Sequence, residues 1–216
     1  IDNAIATTNI DGTIDDFKLR YLDVRWSNIC NFKCRSCGPL YSSSWAQEHG
    51  SEKIFTYAGG VNNDELYKQF EPHFDTIEEF YFAGGEPLLT DKHYDILEYL
   101  IENGRTDVKL RYNTNMSVLK YKNKNVLDMW KKFSNVYIGA SLDSWGPRAE
   151  YIRHGTIWNV IEQNIRTVRE QAPHIHMQTN TVVSILNIKT LTEFIDYMLE
   201  SGLVDVKNYN PHFYVI

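Results

Sequence analysis

Val108-Lys109-Leu110-Arg111-Tyr112-Asn113-Thr114-Asn115 alternates apolar with polar side chains, the period of two that marks a strand with one buried and one wet face. Five more short segments read as strands, at residues 21–27, 78–83, 135–142, 174–183 and 204–210, and all but the second repeat the alternation. Asp23, Arg25 and Ser27 share one register, as do Gly139, Ser141 and Asp143, then His174, His176, Gln178 and Asn180, and finally Asp205, Lys207 and Tyr209. Between the strands lie helical repeats: Ile96, Leu97, Leu100 and Ile101; Ile157, Ile161, Ile165 and Val168; Leu191, Phe194, Ile195, Met198 and Leu199. Thr190-Leu191-Thr192-Glu193 fits a capping box at the start of the last helix, and Gly202 marks its end.

Strand and helix in series give a parallel α/β sheet. Fully buried parallel strands would be apolar throughout, so the recurring polar face needs a place. An antiparallel sheet with one face in water would explain it, but such sheets are joined by short hairpins, and these connections are long enough for helices. The expected fold is therefore α/β, a partial, open (β/α)6 TIM-type barrel with helices outside and a polar lumen, since six strands are too few to close an eight-stranded barrel.

In such folds ligands collect at the carboxyl ends of the strands. Cys30-Asn31-Phe32-Lys33-Cys34-Arg35-Ser36-Cys37 follows the first strand there and holds all three cysteines of the chain. Thiolates spaced so closely suit a soft metal or an iron–sulfur cluster. Three of them leave one iron of a four-iron cube without a cysteine, and open positions belong to reactive sites. Zinc would need a fourth ligand, and His49 matches no common finger spacing. A disulfide would strand one cysteine. Ala83-Gly84-Gly85-Glu86-Pro87, Asn113-Thr114-Asn115 and Ser141-Leu142-Asp143 fall at the ends of the next three strands, on the same rim.

With 22 Lys+Arg against 28 Asp+Glu the net charge is −6, which lacks the basic footprint of a nucleic-acid binder. Fourteen tyrosines and 13% aromatic residues argue for a packed domain over disorder. No apolar run approaches the roughly 20 residues that span a bilayer, and no signal pattern opens the chain. The expectation is a cytoplasmic protein without membrane contact, with an N-terminal arm at 1–20 and one core domain at 21–216.

This set of motifs resembles the radical S-adenosylmethionine (radical SAM) superfamily, whose hallmark is a C-x3-C-x2-C loop after the first strand of a six-stranded partial barrel. The resemblance implies that Cys30, Cys34 and Cys37 hold a [4Fe–4S] cluster and that S-adenosylmethionine chelates the unique iron. Reductive cleavage of the cofactor would give a 5′-deoxyadenosyl radical that abstracts a substrate hydrogen. Gly84, Gly85 and Glu86 look like the segment that meets the methionine amino group, where a carboxylate suits an ammonium. The stretch from Ser141 through Arg153-His154-Gly155 is similar to the SPASM/twitch branch, which modifies peptides and proteins. There Ser141 and Arg153 occupy the places of contacts to the cofactor ribose and carboxylate.

Asn115 ends the third strand in a Thr-Asn pair that the branch often shows. Asp143 has two readings, a contact at the ribose or a cap on the following turn. Val183 lies either against adenine or in the core. Ser36 stands where an aromatic residue is usual, which leaves a backbone contact to adenine and removes the ring packing. Phe32 either compensates or anchors the loop.

The implied partners are a peptide or protein substrate and a reductant such as a flavodoxin or ferredoxin. The rival within the class is a nucleotide or small-metabolite substrate; outside it, an electron-transfer or non-catalytic iron–sulfur module. His176, Tyr81, Tyr112, Lys109 and Arg111 are candidates to face the lumen, with none assigned as catalytic acid, base or radical donor. The branch often carries further cysteines in a C-terminal extension, expected here to be absent or removed.

Overall fold

The structure is a computed structural model that describes residues 7–50 and 63–216. The first six residues of the expected arm lie outside the described ones. Six strands lie side by side in chain order: β1 (Tyr21–Val24), β2 (Glu79–Phe82), β3 (Lys109–Thr114), β4 (Val136–Ala140), β5 (His176–Val183) and β6 (His212–Val215). Every neighbouring pair is parallel. Parallel neighbours need a crossover. The described crossover helices are α1 (Ser43–Glu48), α2 (Asn63–Phe70), α3 (Asp91–Glu102), α4 (Val126–Trp130), α5 (Gly146–Ile152), α6 (Trp158–Gln171) and α7 (Leu191–Glu200). The result is the expected partial, open barrel.

Alternation divides the strands as the sequence requires. Phe80, Phe82, Leu110, Tyr112, Ile138 and Met177 turn outward and are buried, packed with Leu97 and Leu100 of α3, Ile161 and Ile165 of α6, and Phe194 and Met198 of α7. Each such side chain contributes about 1.5–3 kcal/mol when fully removed from water. On the inner face, Asp23, Tyr81, Arg111, Tyr137 and His176 form one row across β1 to β5. Asn113, Gly139 and Gln178 form the next row toward the rim.

Four expectations are corrected. The sixth strand is His212–Val215 and not residues 204–210, because Asp205 closes a turn there, accepting from Lys207 N at 3.0 Å and from Asn208 Nδ2 at 2.8 Å. Asp205, Lys207 and Tyr209 therefore do not form a strand face. Tyr112 faces the helices, with its hydroxyl 2.9 Å from His93 Nε2. The α7 capping box does not form: Thr190 ends a short 3-10 turn and its hydroxyl donates to Asn187 O, 3.3 Å. Ile157 precedes α6 and is exposed, so the apolar face of that helix begins at Trp158.

His93 is wholly buried among the rings of Phe82, Tyr94 and Tyr112. Burial pushes its pKa down to about 3, helped by the Lys124 charge. The unfolded chain takes up a proton near pH 6.5 while the native imidazole does not. The His93 contribution to stability is therefore complete above pH 6.5 and is lost as pH falls toward 3. We expect the stability of wild type relative to His93→Gln to fall by about 1.4 kcal/mol per pH unit below pH 6.5, measured by urea denaturation of both proteins at pH 7, 6 and 5; parallel curves would refute it.

Candidate functional site

The site begins where β1 ends. The turn after β2 lies against the chain leaving β1 through three backbone bonds: Ala83 N to Val24 O, Gly85 N to Ser27 O and Glu86 N to Ile29 O, at 3.1, 3.1 and 2.7 Å. A Cβ on Gly85 would stand 2.2 Å from Ile29 O. Glycine is thus required here by the approach of two protein backbones. Gly84 has φ +111°, a conformation that glycine adopts without strain.

The cysteine loop is fastened on three sides. From α1, Ser44 Oγ donates to Cys30 O (2.7 Å) and Ser42 Oγ to Phe32 O (2.6 Å), while Trp45 Nε1 donates to Cys34 O (2.9 Å). Phe32 is 1% exposed, so it anchors the loop. On the second side Lys33–Cys34 pairs antiparallel with Arg153–His154, and a Cβ on Gly155 would meet Asn31 O at 2.9 Å. On the third, Asn115 Nδ2 donates to Asn31 Oδ1 (3.0 Å) and Asn31 Nδ2 to Ser117 Oγ (2.9 Å).

All three cysteines are free thiols. Burial pushes the Cys30 thiol up to about 12 and also raises Cys34 and Cys37, the Cys34 shift being opposed by the Arg153 charge. Cys30 Sγ accepts from Phe32 N at 3.5 Å and Cys34 Sγ from Arg153 Nη1 at 3.8 Å. Donors aimed at sulfur are what metal-bound thiolates use. Among the described residues no three His, Cys, Asp or Glu side chains converge on a single ion. Cysteines that bind separate irons of a cluster have no need to. The donor set fits a three-cysteine iron–sulfur site, with metal displacing the protons that burial retains.

Glu86 is 1% exposed. Its Oε1 accepts from Thr114 Oγ1 (2.7 Å) and Leu88 N (3.2 Å), and its Oε2 from Asn115 N (2.7 Å). Burial raises its pKa to about 7 against these three donors. The carboxylate thus ties the end of β3 to the turn after β2. The Gly84 and Gly85 carbonyls accept no hydrogen bond from a described residue.

Asp143 and Arg153 form a buried fork: Nε to Oδ2 at 2.8 Å and Nη2 to Oδ1 at 2.9 Å, with Val182 N also donating to Oδ1 at 2.8 Å. Their side chains are 1% and 12% exposed. Burial alone would lower the Arg153 pKa; the Asp143 charge and the Cys34 sulfur outweigh it and raise it. One edge of the guanidinium, Nε and Nη2, is committed to Asp143, and Nη1 is aimed at Cys34.

Among the residues singled out from sequence, the structure joins Cys34, Asp143 and Arg153 in one network. Glu86 and Asn115 form a second, which reaches the cysteine loop through Asn31. Ser141 ends β4 half-buried, donating its N–H to Thr114 O at 2.8 Å, with no hydroxyl partner among the described residues. Ser36 is exposed. Val183 is 6% exposed and pairs with Val215. Reading the sequence placed Thr114 on the rim without a role of its own and missed the Ser42–Ser44 run and Asn187, whose Nδ2 holds Asp143 O and Val182 O at 2.9 and 2.8 Å. Only the serine run had a local signal, three hydroxyls at a helix start.

Comparison with known proteins gives one family. The model of the radical SAM superfamily matches residues 24–204. A GTP 3′,8-cyclase from Nautilia profundicola is 27% identical over 194 residues, 88% of this chain and 56% of that protein. One from Sulfurimonas denitrificans is 24% identical over 186 residues, 85% and 53%. The chain therefore spans about half the length of these curated relatives. Similar solved structures include native anSMEcpe with bound AdoMet (TM-score 0.61, 18% identity, 90% of this chain, 52% of that one). Another is Streptococcus suis SuiB bound to precursor peptide SuiA (TM-score 0.58, 17% identity, 92% and 39%).

Two substitutions test the geometry. Glu86→Gln turns an amide N–H₂ toward a backbone donor in either orientation and should lose about 1–3 kcal/mol of stability, read by chemical denaturation; a neutral result would refute the clamp. Asp143→Asn leaves the Arg153 charge buried without its partner and should lose about 3–5 kcal/mol in the same assay.

Proposed function

The chain belongs to the radical SAM superfamily, and from that premise we propose that it is the catalytic core of an enzyme that generates a 5′-deoxyadenosyl radical to abstract hydrogen from a peptide or protein. The carrying observation is the loop of Cys30, Cys34 and Cys37, fixed at a rim where these are the only cysteines of the chain. The cofactors are a [4Fe–4S] cluster and S-adenosylmethionine, which together supply reductive carbon–sulfur cleavage. Every other part of the mechanism is orientation, and it falls to the chain's own side chains.

Cys30, Cys34 and Cys37 would hold the cluster through their thiolates, and with three cysteines only the site would leave room for the cofactor. The Gly84 and Gly85 carbonyls are suited to its ammonium, a role the Glu86 carboxylate is less placed to take while it clamps β3. Ser141 offers its hydroxyl to the ribose. Arg153 contributes positive charge at the cofactor carboxylate; its Nε–Nη2 edge is taken by Asp143, so its proposed contact is through Nη1. Asp143 acts through Arg153. The exposed Ser36 backbone borders the adenine and Asn115 holds the rim, whereas Val183 shares the outward register of Met177 and is buried in the core.

Peptide substrates are supported by the polar, open lumen and by fold neighbours solved with a bound peptide. A second reading, a nucleotide substrate, is favoured by the GTP 3′,8-cyclases among the sequence relatives. The proposed reductant is a flavodoxin or ferredoxin, and the proposed setting is the cytoplasm, where thiols stay reduced. No helix among the described residues is long and apolar enough to cross a membrane.

Anaerobic reconstitution should load about four irons and four sulfides per chain, and the reduced protein should release 5′-deoxyadenosine from S-adenosylmethionine. Alanine at Cys30, Cys34 or Cys37 should abolish both, measured as iron content and by chromatography of the nucleoside. A single bound zinc in wild type would end the proposal. Consumption of GTP, with no deuterium exchanged from labelled peptides, would select the second reading.

A further inference from the structure

The lumen holds a charge imbalance below the rim. Its wall is formed by Tyr81, Arg111, Tyr137, His176, Gln178 and Tyr214, among others. The charged side chains on the inward registers of β1 to β3 are Asp23, Arg25, Glu79, Lys109 and Arg111, three cations against two carboxylates. Arg25 and Asp23 satisfy each other bidentately, both contacts at 2.9 Å. The remaining carboxylate, Glu79, is shared by two cations, with Lys109 Nζ at 3.1 Å and Arg111 Nη1 at 3.2 Å. Among the described residues one positive charge is left over, at the two-cation side.

The surroundings select what can neutralise it. The Lys109 ammonium lies over the Tyr137 ring at 4.9 Å and the Arg111 guanidinium over Tyr81 at 5.3 Å, so both cations are held in place. Toward the rim, Asn180 Nδ2 donates to Asn113 Oδ1 at 2.6 Å across Gly139. A Cβ on Gly139 would stand 2.2 Å from that nitrogen. The lumen thus runs from a cationic base to an uncharged amide layer beneath the cysteine rim.

We propose that Arg111 and Lys109 form a subsite for a single carboxylate of the substrate, placed so that the rest of the substrate extends past the amide layer toward the rim. This rests on the reading of the lumen as the substrate chamber of a radical SAM enzyme and narrows that substrate to an acidic peptide. Singly charged carboxylate matches the excess of one. A polyphosphate would bring several negative charges beside Glu79 and Asp23 with one cation's worth of compensation, and like charges at such range repel. Arg111, with its planar fork, makes the directional contact, and Lys109 acts as a point charge.

The test is protection of arginine from phenylglyoxal, mapped residue by residue by mass spectrometry at fixed ionic strength, with the exposed Arg148 as reference. N-acetylglutamic acid α-amide, which carries one side-chain carboxylate, should slow modification of Arg111 by about tenfold when present at about ten times its Kd; its neutral glutamine counterpart at the same concentration should not. Glu79→Gln removes the competing carboxylate and should enlarge the protection. Absence of protection, protection unchanged in Glu79→Gln, or stronger relative protection by tripolyphosphate than by the carboxylate would each overturn the proposal. None of these readouts involves iron content or 5′-deoxyadenosine, so loss of this subsite and loss of the radical activity are separate results.

Discussion

The buried Asp143–Arg153 fork, two hydrogen bonds at 2.8 and 2.9 Å with one partner 1% exposed, is the constraint that ties the cysteine loop to the ends of β4 and β5. Both charges have left water, which is unfavourable unless each finds its partner with good geometry. Here the carboxylate also accepts Val182 N, and the guanidinium spends its remaining terminal nitrogen on Cys34 Sγ. One ion pair therefore connects the end of β4, the end of β5 and the cysteine loop. Without it, the loop would be tied to the barrel mainly through the serines of α1 and the amides around Asn31.

A second device works on the other side of the loop by sterics. Gly85 lets the turn after β2 come within hydrogen-bonding distance of Ser27 and Ile29, closer than any Cβ would permit. Glu86 then reaches sideways to Thr114 and Asn115. Its carboxyl is held near neutrality by burial opposed by three donors, so the motif is first a clamp among strand ends. The family motif and the local packing are served by the same residues, and the packing leaves the Gly84 and Gly85 carbonyls at the rim without a hydrogen bond from a described residue.

The lumen obeys the same economy of pairing. Each charge placed on the inner face of the sheet must be balanced or left to attract something, and the one excess cation at the base marks where balance is not completed among the described residues. Tyrosines beneath the cations and a glycine beneath the amide pair show that this inner face is packed as deliberately as the outer one.

Alternation along residues 108–115, repeated in the other strands, determined the parallel sheet, its two unlike faces and the rim on which the cysteines fall, because side-chain direction in a strand follows from sequence position alone. It failed at residues 204–210, where Asp205 hydrogen-bonds its own neighbours and converts an alternating run into a turn. Cysteine spacing likewise determined the metal chemistry, since three ligands in eight residues need no tertiary contact to be recognised. The partners of those residues were decided only by folding: that Arg153 faces Asp143 ten positions away, that Glu86 meets Thr114 and Asn115, and that Asn187 closes over Asp143. These contacts join separate strand ends, and no local period records which of two strand ends will lie within 3 Å of the other.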